Sequence, residues 1–246
     1  NFGGLVCSFP QENKISGLGV MNENVTSTSL GLKGNPALAE ELQVARDLFL
    51  LEYTGGKLHI PTISTAKSVD LIRAAKAKKL DVSCSVAIHN LYFTDENLTD
   101  FDTNFKVKPP LRTQDDIDAL IEGVKDGTID MVTSDHNPLD IELKKVEFDH
   151  AAYGTIGLES AFGALLQKFT LKKTVEVLTK GKQRFGVNKT PINIGNKINV
   201  TLFNPDLKYT FSKEHILSKS HNSMFEGETL KGNVYGIISN NILALK

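Results

Sequence analysis

Apolar and polar positions alternate in blocks along the first part of the chain. Residues 5–9 form a short apolar run, which predicts a buried strand. Residues 10–34 are rich in Asn, Ser, Thr and Gly, a composition typical of a long loop. A helix is predicted to begin at Asn35 and Pro36, because Asn caps helices and Pro favours their first position, and Gly55 ends it. Its apolar positions keep helical spacing: Leu38, Leu42, Ala45, Leu48 and Phe49.

The alternation continues through three more strands and two more helices. The predicted strands are residues 57–63, 81–88 and 129–133. Ser64 or Thr65 caps a helix that runs to Lys79. Thr113 caps a second helix, and Gly127 ends it. Strands and helices in this order favour a parallel α/β sheet, either a closed (β/α) barrel or an open doubly wound sheet, and four strands make half of an eight-stranded barrel.

The last third of the chain changes from α/β to β. Two helices are predicted at residues 158–169 and 171–180. Short strands with Gly and Asn turns between them follow, at residues 197–203, 233–239 and 242–245. We therefore divide the chain into a half-barrel part, residues 1–192, and a small β module, residues 193–246.

Composition narrows the class of protein. The chain has 246 residues, 40% of them hydrophobic, which is ample for a core. A net charge of −1 offers no basic field for nucleic acid or an anionic membrane, so the predicted partners are small molecules or proteins. No run approaches the ~18 apolar residues of a membrane span, and no signal peptide is recognisable. Cys7 and Cys84 have no Cys-x-x-Cys spacing, which predicts a reducing, cytoplasmic compartment.

Chemistry in parallel α/β folds is carried at the carboxyl ends of the strands. Asp135, in the run Ser-Asp-His-Asn at residues 134–137, is the best candidate there, because a carboxylate can bind a metal or take a proton from water. The same run is also a common turn and helix cap. His89 and His136 are candidate ligands, although a lone histidine is more often packed than ligating. No glycine-rich phosphate loop or Gly-x-Ser-x-Gly elbow is present.

Three linked motifs occur in the middle of the chain. They are residues 105–112 (Phe-Lys-Val-Lys-Pro-Pro-Leu-Arg), residues 119–130 and residues 134–138 (Ser-Asp-His-Asn-Pro). In sequence and spacing they closely resemble the signature region of the dihydroorotases. Further matches lie at residues 60–69, 91–96, 154–159 and 218–227. The resemblance therefore covers essentially the whole chain.

The resemblance implies a fold and a reaction. The chain would be the second half, strands five to eight, of an amidohydrolase (β/α)8 TIM barrel, followed by part of a small C-terminal β-sandwich module. Dihydroorotases interconvert carbamoyl aspartate and dihydroorotate in pyrimidine biosynthesis, using zinc to activate water and polarise the ring amide. The family's His-x-His metal motif, with the first four strands, would precede Asn1. We expect this missing N-terminal half of the barrel to be supplied elsewhere, or a homo-oligomer to cover the open edges.

Several family site positions are changed in this sequence. A strand-five histidine of the family is replaced in the run Ser8-Phe9, and the strand-six histidine is Thr62, whose hydroxyl is a poor zinc ligand. Asp135 keeps the strand-eight acidic position, which in the family binds metal and acts as the base. We therefore take Asp135 as the candidate base and metal ligand. His136 is a further candidate for the metal.

The resemblance also identifies candidate substrate contacts. Lys108 stands where the family has a substrate-binding asparagine, and His89 and Asn137 are the other candidates. Four functions stay open at this stage: a dihydroorotase-family protein whose catalysis is lost or reduced because metal ligands are missing; a scaffold that partners aspartate carbamoyltransferase; an active enzyme with an unusual zinc site; and a metal-free binding protein in which Lys108 meets an anionic ligand.

Overall fold

The computed structural model describes residues 3–187, 191–240 and 242–245. The strands in these ranges are β1 (Leu5–Cys7), β2 (Met21–Asn22), β3 (Gly34–Asn35), β4 (Lys57–Ile60), β5 (Val82–Ala87), β6 (Met131–Thr133), β7 (Asn199–Thr210), β8 (Thr229–Ser239) and β9 (Ile242–Leu245). The α-helices are α1 (Asn13–Ser16), α2 (Val25–Leu30), α3 (Ala37–Thr54), α4 (Ala66–Ala77), α5 (Gln114–Asp126), α6 (Ala161–Lys168), α7 (Leu171–Thr179) and α8 (Gly181–Arg184). Among the described residues, no helix is long and apolar enough to cross a membrane.

The centre of the molecule is a parallel sheet in the order β1-β4-β5-β6. Three of its strands share one register, because Cys7 lies beside His59 and His59 lies beside Ser83. Helices α3, α4 and α5 connect consecutive strands. The core is formed by fully buried side chains, among them Ile60, Ile72, Val86, Leu120 and Val124. The predicted alternation of strands and helices is confirmed: it builds half of a barrel wall, which a closed barrel would continue at β1 and β6.

Some ends of strands and helices lie where the sequence predicted them, and others do not. Thr113 caps α5 through a capping box with Asp116, and Gly127 ends that helix in the left-handed conformation, as predicted. Asn35 does not cap α3, because it belongs to β3, and the capping position is Pro36 without a side-chain bond. The predicted strand 57–63 ends at Ile60, because Thr62 turns to a positive φ of 48°.

The predicted loop at residues 10–34 is in fact built from short elements. It contains α1, α2 and the two-stranded parallel pair of β2 and β3. Asn24 caps α2 by accepting hydrogen bonds from the backbone of Thr26 and Ser27. Asp95, which follows β5, accepts from the side-chain amides of both Asn22 and Asn24. The segment is therefore fixed over the sheet by polar side chains, which a loop-like composition conceals.

The C-terminal module is an antiparallel sheet in the order β7-β8-β9. Strands β7 and β8 extend further than predicted, because their pairing resumes after an irregularity between Asn204 and Lys208. Helix α6 packs against this sheet, with Phe162 and Phe203 in edge-to-face contact at 4.8 Å. The division between residues 192 and 193 stays a prediction.

Candidate functional site

Two non-glycine residues adopt left-handed backbone conformations two positions beyond the ends of β4 and β6. Thr62 follows β4 with φ 48°, and Asp135 follows β6 with φ 45°. This region of backbone space is unfavourable for residues with a Cβ, and such strain concentrates at functional sites. The Thr62 amide donates a hydrogen bond to Ser85 Oγ on β5 at 3.2 Å. These two residues therefore mark the carboxyl edge of the sheet as the candidate functional site.

Asp135 and His89 are brought together at this edge. The distance from His89 Nε2 to Asp135 Oδ2 is 3.8 Å, which is too long for a hydrogen bond. The Asp135 side chain is 38% exposed, and burial raises its pKa. His89 is fully buried, and neither ring nitrogen has a hydrogen-bond partner among the described residues. Burial lowers the pKa of His89 to about 3, so a neutral imidazole faces the carboxylate.

His136 and Asn137 are held by the loop at residues 153–158. His136 Nδ1 accepts hydrogen bonds from the backbone amides of Gly157 and Leu158, both at 3.2 Å. That lone pair is therefore occupied, and only Nε2 of His136 is left for another role. The Asn137 side-chain amide donates to the carbonyl of Tyr153 at 2.9 Å. Both residues shape the turn that carries Asp135.

The changed family positions carry no imidazole. Ser8 Oγ donates to Asp47 Oδ2 on α3 at 2.5 Å, so the Ser8 side chain contacts the helix layer. Phe9 is 42% exposed, and its ring centroid lies 5.9 Å from the amine of Lys108. Thr62 is buried. The candidate substrate residue Lys108 therefore lies beside the residue that stands at the end of β1.

The donor set does not fit a zinc centre within this chain. Protein zinc sites use three or four His, Cys, Asp or Glu ligands at about 2.0–2.3 Å. In residues 3–187, 191–240 and 242–245, no three such side chains are grouped so that they could hold a metal. Asp135 has one imidazole near it, that of His89, and Cys84 is buried with its thiol pKa raised to about 12.

Sequence reasoning missed the buried charges around the edge of the sheet. Lys106 and Lys144 are 2% and 6% exposed, although lysine is the residue type least expected inside a protein. Arg112 is buried as well and donates to Ser64 Oγ, Asn22 Oδ1 and the carbonyl of Asn35. Lys106 and Arg112 belong to the Phe-Lys-Val-Lys-Pro-Pro-Leu-Arg motif, and this motif was the sequence signal that could have identified them. Nothing in the sequence marks Lys144.

Comparison with solved structures identifies the fold. An L-hydantoinase (dihydropyrimidinase) from Arthrobacter aurescens superposes with a TM-score of 0.84 at 21% identity, covering 99% of this chain and 57% of that one. A dihydropyrimidinase from Brevibacillus agri gives a TM-score of 0.82 at 25% identity over the same shares. The half barrel and its β module are thus part of a cyclic amidohydrolase fold.

Comparison of sequences gives the family within that class. The chain is 43% identical over 234 residues to a dihydroorotase of Thermoanaerobacter sp., and 42% identical over 245 residues to one of Caldanaerobacter subterraneus subsp. tengcongensis. These matches cover 93% and 97% of this chain, but it spans only 54% and 57% of those relatives' lengths. No protein-family model matches. The chain belongs to the dihydroorotase family, as the motifs predicted.

Proposed function

We propose that this chain is part of a dihydroorotase-like protein of pyrimidine biosynthesis whose hydrolytic activity is lost or strongly reduced. The observation that carries the proposal is the set of side chains at the strand ends. Ser8, Phe9 and Thr62 stand where the family resemblance calls for imidazole ligands, and Asp135 is left with the neutral ring of His89. A hydroxyl or a phenyl ring cannot replace an imidazole on zinc. Loss of metal ligands lowers both metal affinity and the activation of water.

The remaining candidate residues have roles within this proposal. Asp135 is the residual base, because its partly exposed carboxylate is the acidic group at the end of β6. Lys108 is the candidate contact for a substrate carboxylate. Asn137 and His136 support the turn around Asp135 through their bonds to the loop at residues 153–158. A cytoplasmic location is part of the proposal, supported by the two free cysteines, Cys7 and Cys84.

The test uses the full-length protein in which this chain occurs. Bound zinc is measured by atomic emission, and turnover is measured with dihydroorotate and with carbamoyl aspartate. The Asp135→Asn variant is compared with Asp100→Asn, which changes an exposed aspartate away from the strand ends. We expect zinc well below one ion per chain and turnover near background in all three proteins. One zinc per chain, with turnover that Asp135→Asn abolishes and Asp100→Asn leaves intact, would contradict the proposal.

A non-catalytic assembly role is the second candidate, and the edges of the sheet favour it. Among the described residues, β1 pairs only with β4, and β6 pairs only with β5. A groove of about 520 Å³ lies beside β1, with Val6, Leu50, Leu51 and Leu58 in its lining. We propose that further polypeptide covers this edge: the N-terminal half of the barrel or a second copy of the chain.

Aspartate carbamoyltransferase is the proposed partner in a scaffold role, by analogy with inactive family members. Mass spectrometry of the purified protein decides whether any polypeptide precedes Asn1. Co-purification of the tagged full-length protein with aspartate carbamoyltransferase tests the partnership, with an unrelated tagged barrel protein as the control. A complex of fixed stoichiometry supports the scaffold role. Recovery of the same amount of aspartate carbamoyltransferase with the control protein would rule that role out.

A further inference from the structure

Helix α3 carries a row of exposed apolar side chains along its outer side. Leu38 and Leu42 are 50% and 46% exposed, and Phe49 and Tyr53 are 74% and 89% exposed. Large apolar side chains that are exposed singly are common in proteins. These four lie on neighbouring turns of one helix, with the half-buried Ala45 on the turn between the two pairs, so they form a continuous surface. We call these five residues the α3 stripe.

The α3 stripe faces away from the sheet. The opposite side of the helix carries Val44, Leu48 and Leu51, which are buried in the core between α3 and the sheet. With 3.6 residues per turn, the stripe and these core positions lie on opposite sides of the helix. Polypeptide that continues the barrel beyond β1 would lie beside α3 and would leave its outer side uncovered. The stripe is therefore a different surface from the open edge of β1.

The stripe has the size of the apolar part of a dimer interface. Its two leucines and two aromatic residues together expose on the order of 500 Å². The largest apolar patch on a monomeric protein is about 300–600 Å² and is often functional. Each partner in a stable dimer buries roughly 800 Å², of which about 65% is apolar in homodimers. An interface centred on the stripe would match both values.

The order of side chains along the stripe indicates that its partner is a second copy of the chain. Leu38 and Leu42 are four positions apart, as are Phe49 and Tyr53, and the two pairs are placed symmetrically about a point between positions 45 and 46. A two-fold axis through that point makes two α3 helices antiparallel. Each leucine of one copy then lies opposite an aromatic ring of the other. The small side chain of Ala45, close to the axis, allows the helices to approach each other.

An apolar groove beside the stripe can receive a side chain of the second copy. It has a volume of about 150 Å³ and lies between α3 and α4, with Phe49, Leu71, Ala74 and Leu80 in its lining. An apolar cavity of about 150 Å³ accommodates a benzene-sized group. In the antiparallel arrangement, Leu42 of the partner subunit lies opposite Phe49 and next to this groove. Ridges of side chains that enter grooves in this way are the usual contact between packed helices.

The charged side chains that border the middle and the C-terminal part of the stripe are balanced within the chain. Arg46 forms ion pairs with Glu12 at 3.6 Å and Asp47 at 3.4 Å, and Glu52 forms one with Lys78 at 2.9 Å. Around a two-fold axis each charge near the centre approaches its own copy, so unbalanced charges there would oppose dimerisation. The internal pairs reduce this repulsion, and they leave little charge with which a basic or acidic partner could be recognised.

We propose that two copies of the protein associate through the α3 stripe, with the two helices antiparallel about a two-fold axis near Ala45. The interface includes neither the open edge of β1 nor the strand ends that carry Asp135. It therefore persists in the full-length protein, in which further polypeptide covers β1, and it does not rest on the proposed function.

Sedimentation velocity of the full-length protein tests the interface. We expect a dimer, and Leu42→Glu and Phe49→Glu should each weaken dimerisation at least about 100-fold, because each places a carboxylate against an apolar surface. Both side chains point away from the core and glutamate favours helices, so these variants should keep the far-ultraviolet circular dichroism of the parent. Val25→Glu makes the same kind of change at a valine on α2 that is 84% exposed, and it should dimerise like the parent.

A charge pair tests the antiparallel arrangement. Leu42→Lys combined with Phe49→Glu places opposite charges face to face between the two copies. Within one helix these positions are seven residues apart, which is about 10 Å along the axis, so the new charges cannot pair in the same chain. We expect the double variant to dimerise about tenfold more tightly than Phe49→Glu alone.

A disulfide tests the position of the axis. In a Cys7→Ser background, which removes the exposed cysteine, Ala45→Cys should join two copies under mild oxidation, because a disulfide needs Cα atoms about 4.4–6.8 Å apart. Val25→Cys should not. The proposal is overturned if the parent stays monomeric up to about 100 μM, if Phe49→Glu dimerises like the parent, if the double variant gains nothing, or if Ala45→Cys forms no more cross-linked dimer than Val25→Cys. None of these readouts depends on zinc content or on dihydroorotate turnover, so they are separate from the test of the proposed function.

Discussion

Two buried lysines connect the loops that follow β5 and β6. Lys106 donates to the carbonyls of Phe148 and Asp149, and Lys144 donates to those of Thr103 at 2.6 Å and Ala152 at 2.9 Å. Both bonds of Lys106 reach the loop after β6, whereas Lys144 bonds one carbonyl of the loop after β5 and one of its own loop. Because each bond to a carbonyl satisfies a buried acceptor, these side chains fix the loops that border the candidate site.

Deprotonation of Lys144 should make the folded protein more stable at alkaline pH. Burial, and then the charge of Lys106, lowers the pKa of Lys144 from 10.5 to about 8. Above that pH the folded protein has lost the proton while the unfolded chain still holds it, so the free energy of unfolding rises between about pH 8 and 10.5. The neutral amine keeps two N–H groups for its two carbonyl partners.

The measurement is urea unfolding followed by circular dichroism at about pH 7.5 and about pH 9.5. We expect the rise in unfolding free energy to be smaller in Lys144→Met than in the parent by on the order of 1–3 kcal/mol. Lys145→Met changes an exposed neighbour and should follow the parent. An identical pH dependence in Lys144→Met and the parent would show that the buried amine does not titrate in this window.

Gly157 should be required for the turn that carries Asp135. A Cβ at this position would lie 2.2 Å from the carbonyl oxygen of Ser134, a backbone atom that cannot move aside without shifting Asp135. In Gly163, on α6, a Cβ would meet side-chain atoms at 3.0 Å, and alanine also favours the helix. We expect Gly157→Ala to destabilise the protein by about 1–3 kcal/mol, and clearly more than Gly163→Ala, in thermal unfolding. Equal effects would contradict this account.

At the scale of single elements, one carboxylate organises the start of α4. Glu40, on α3, is 2% exposed, and it accepts hydrogen bonds from the amides of Ser64 at 2.8 Å and Thr65 at 3.1 Å. It also accepts from Ser68 Oγ at 2.7 Å and from the hydroxyl of Ser64. An anion at a helix N-terminus satisfies amides that have no partner in the helix. Glu40 therefore fixes α4 to α3.

Glu40→Gln should be strongly destabilising, because it replaces an acceptor by an amide whose N–H groups face other donors. We expect a loss of about 2–4 kcal/mol in the free energy of unfolding, measured in urea. Glu41→Gln is the matched control. Burial and the charge of Glu40 raise the pKa of Glu41, so its neutralisation should change stability by less than about 0.5 kcal/mol. A similar small change in both variants would exclude the proposed role of Glu40.

The elements that could be predicted are those with a local cause. Helix α5 has a capping threonine, Thr113, and a terminal glycine, Gly127, and both act as the sequence indicates. Strands β2 and β3 and helices α1 and α2 were missed, because their stability depends on distant partners, such as the bonds from Asn22 and Asn24 to Asp95. The candidate site divides in the same way. Asp135 could be predicted as a site residue because it comes just after a predicted strand. The burial of Lys106 could not be predicted, because it depends on a loop more than forty positions away.

At the scale of the whole molecule, the sheet has two open edges among the described residues. An unpaired strand offers its backbone groups to another chain. Val6, on β1, is 48% exposed and lines the groove beside α3, where an apolar surface adds to the attraction of the open edge. When nothing else covers this edge, two or more copies of the chain should associate through it, since burial of apolar surface drives association.

Val6→Lys should therefore reduce self-association of the polypeptide shown here. A charged side chain on an edge strand opposes pairing with another chain, because the ammonium group would have to leave water. Sedimentation velocity over a wide concentration range should show association of the parent and a shift toward monomer in Val6→Lys. Val25→Lys makes the same substitution at a valine on α2 that is 84% exposed, and it should associate like the parent. A parent that stays monomeric throughout, or an equal shift in both variants, would show that β1 is not the surface through which copies meet.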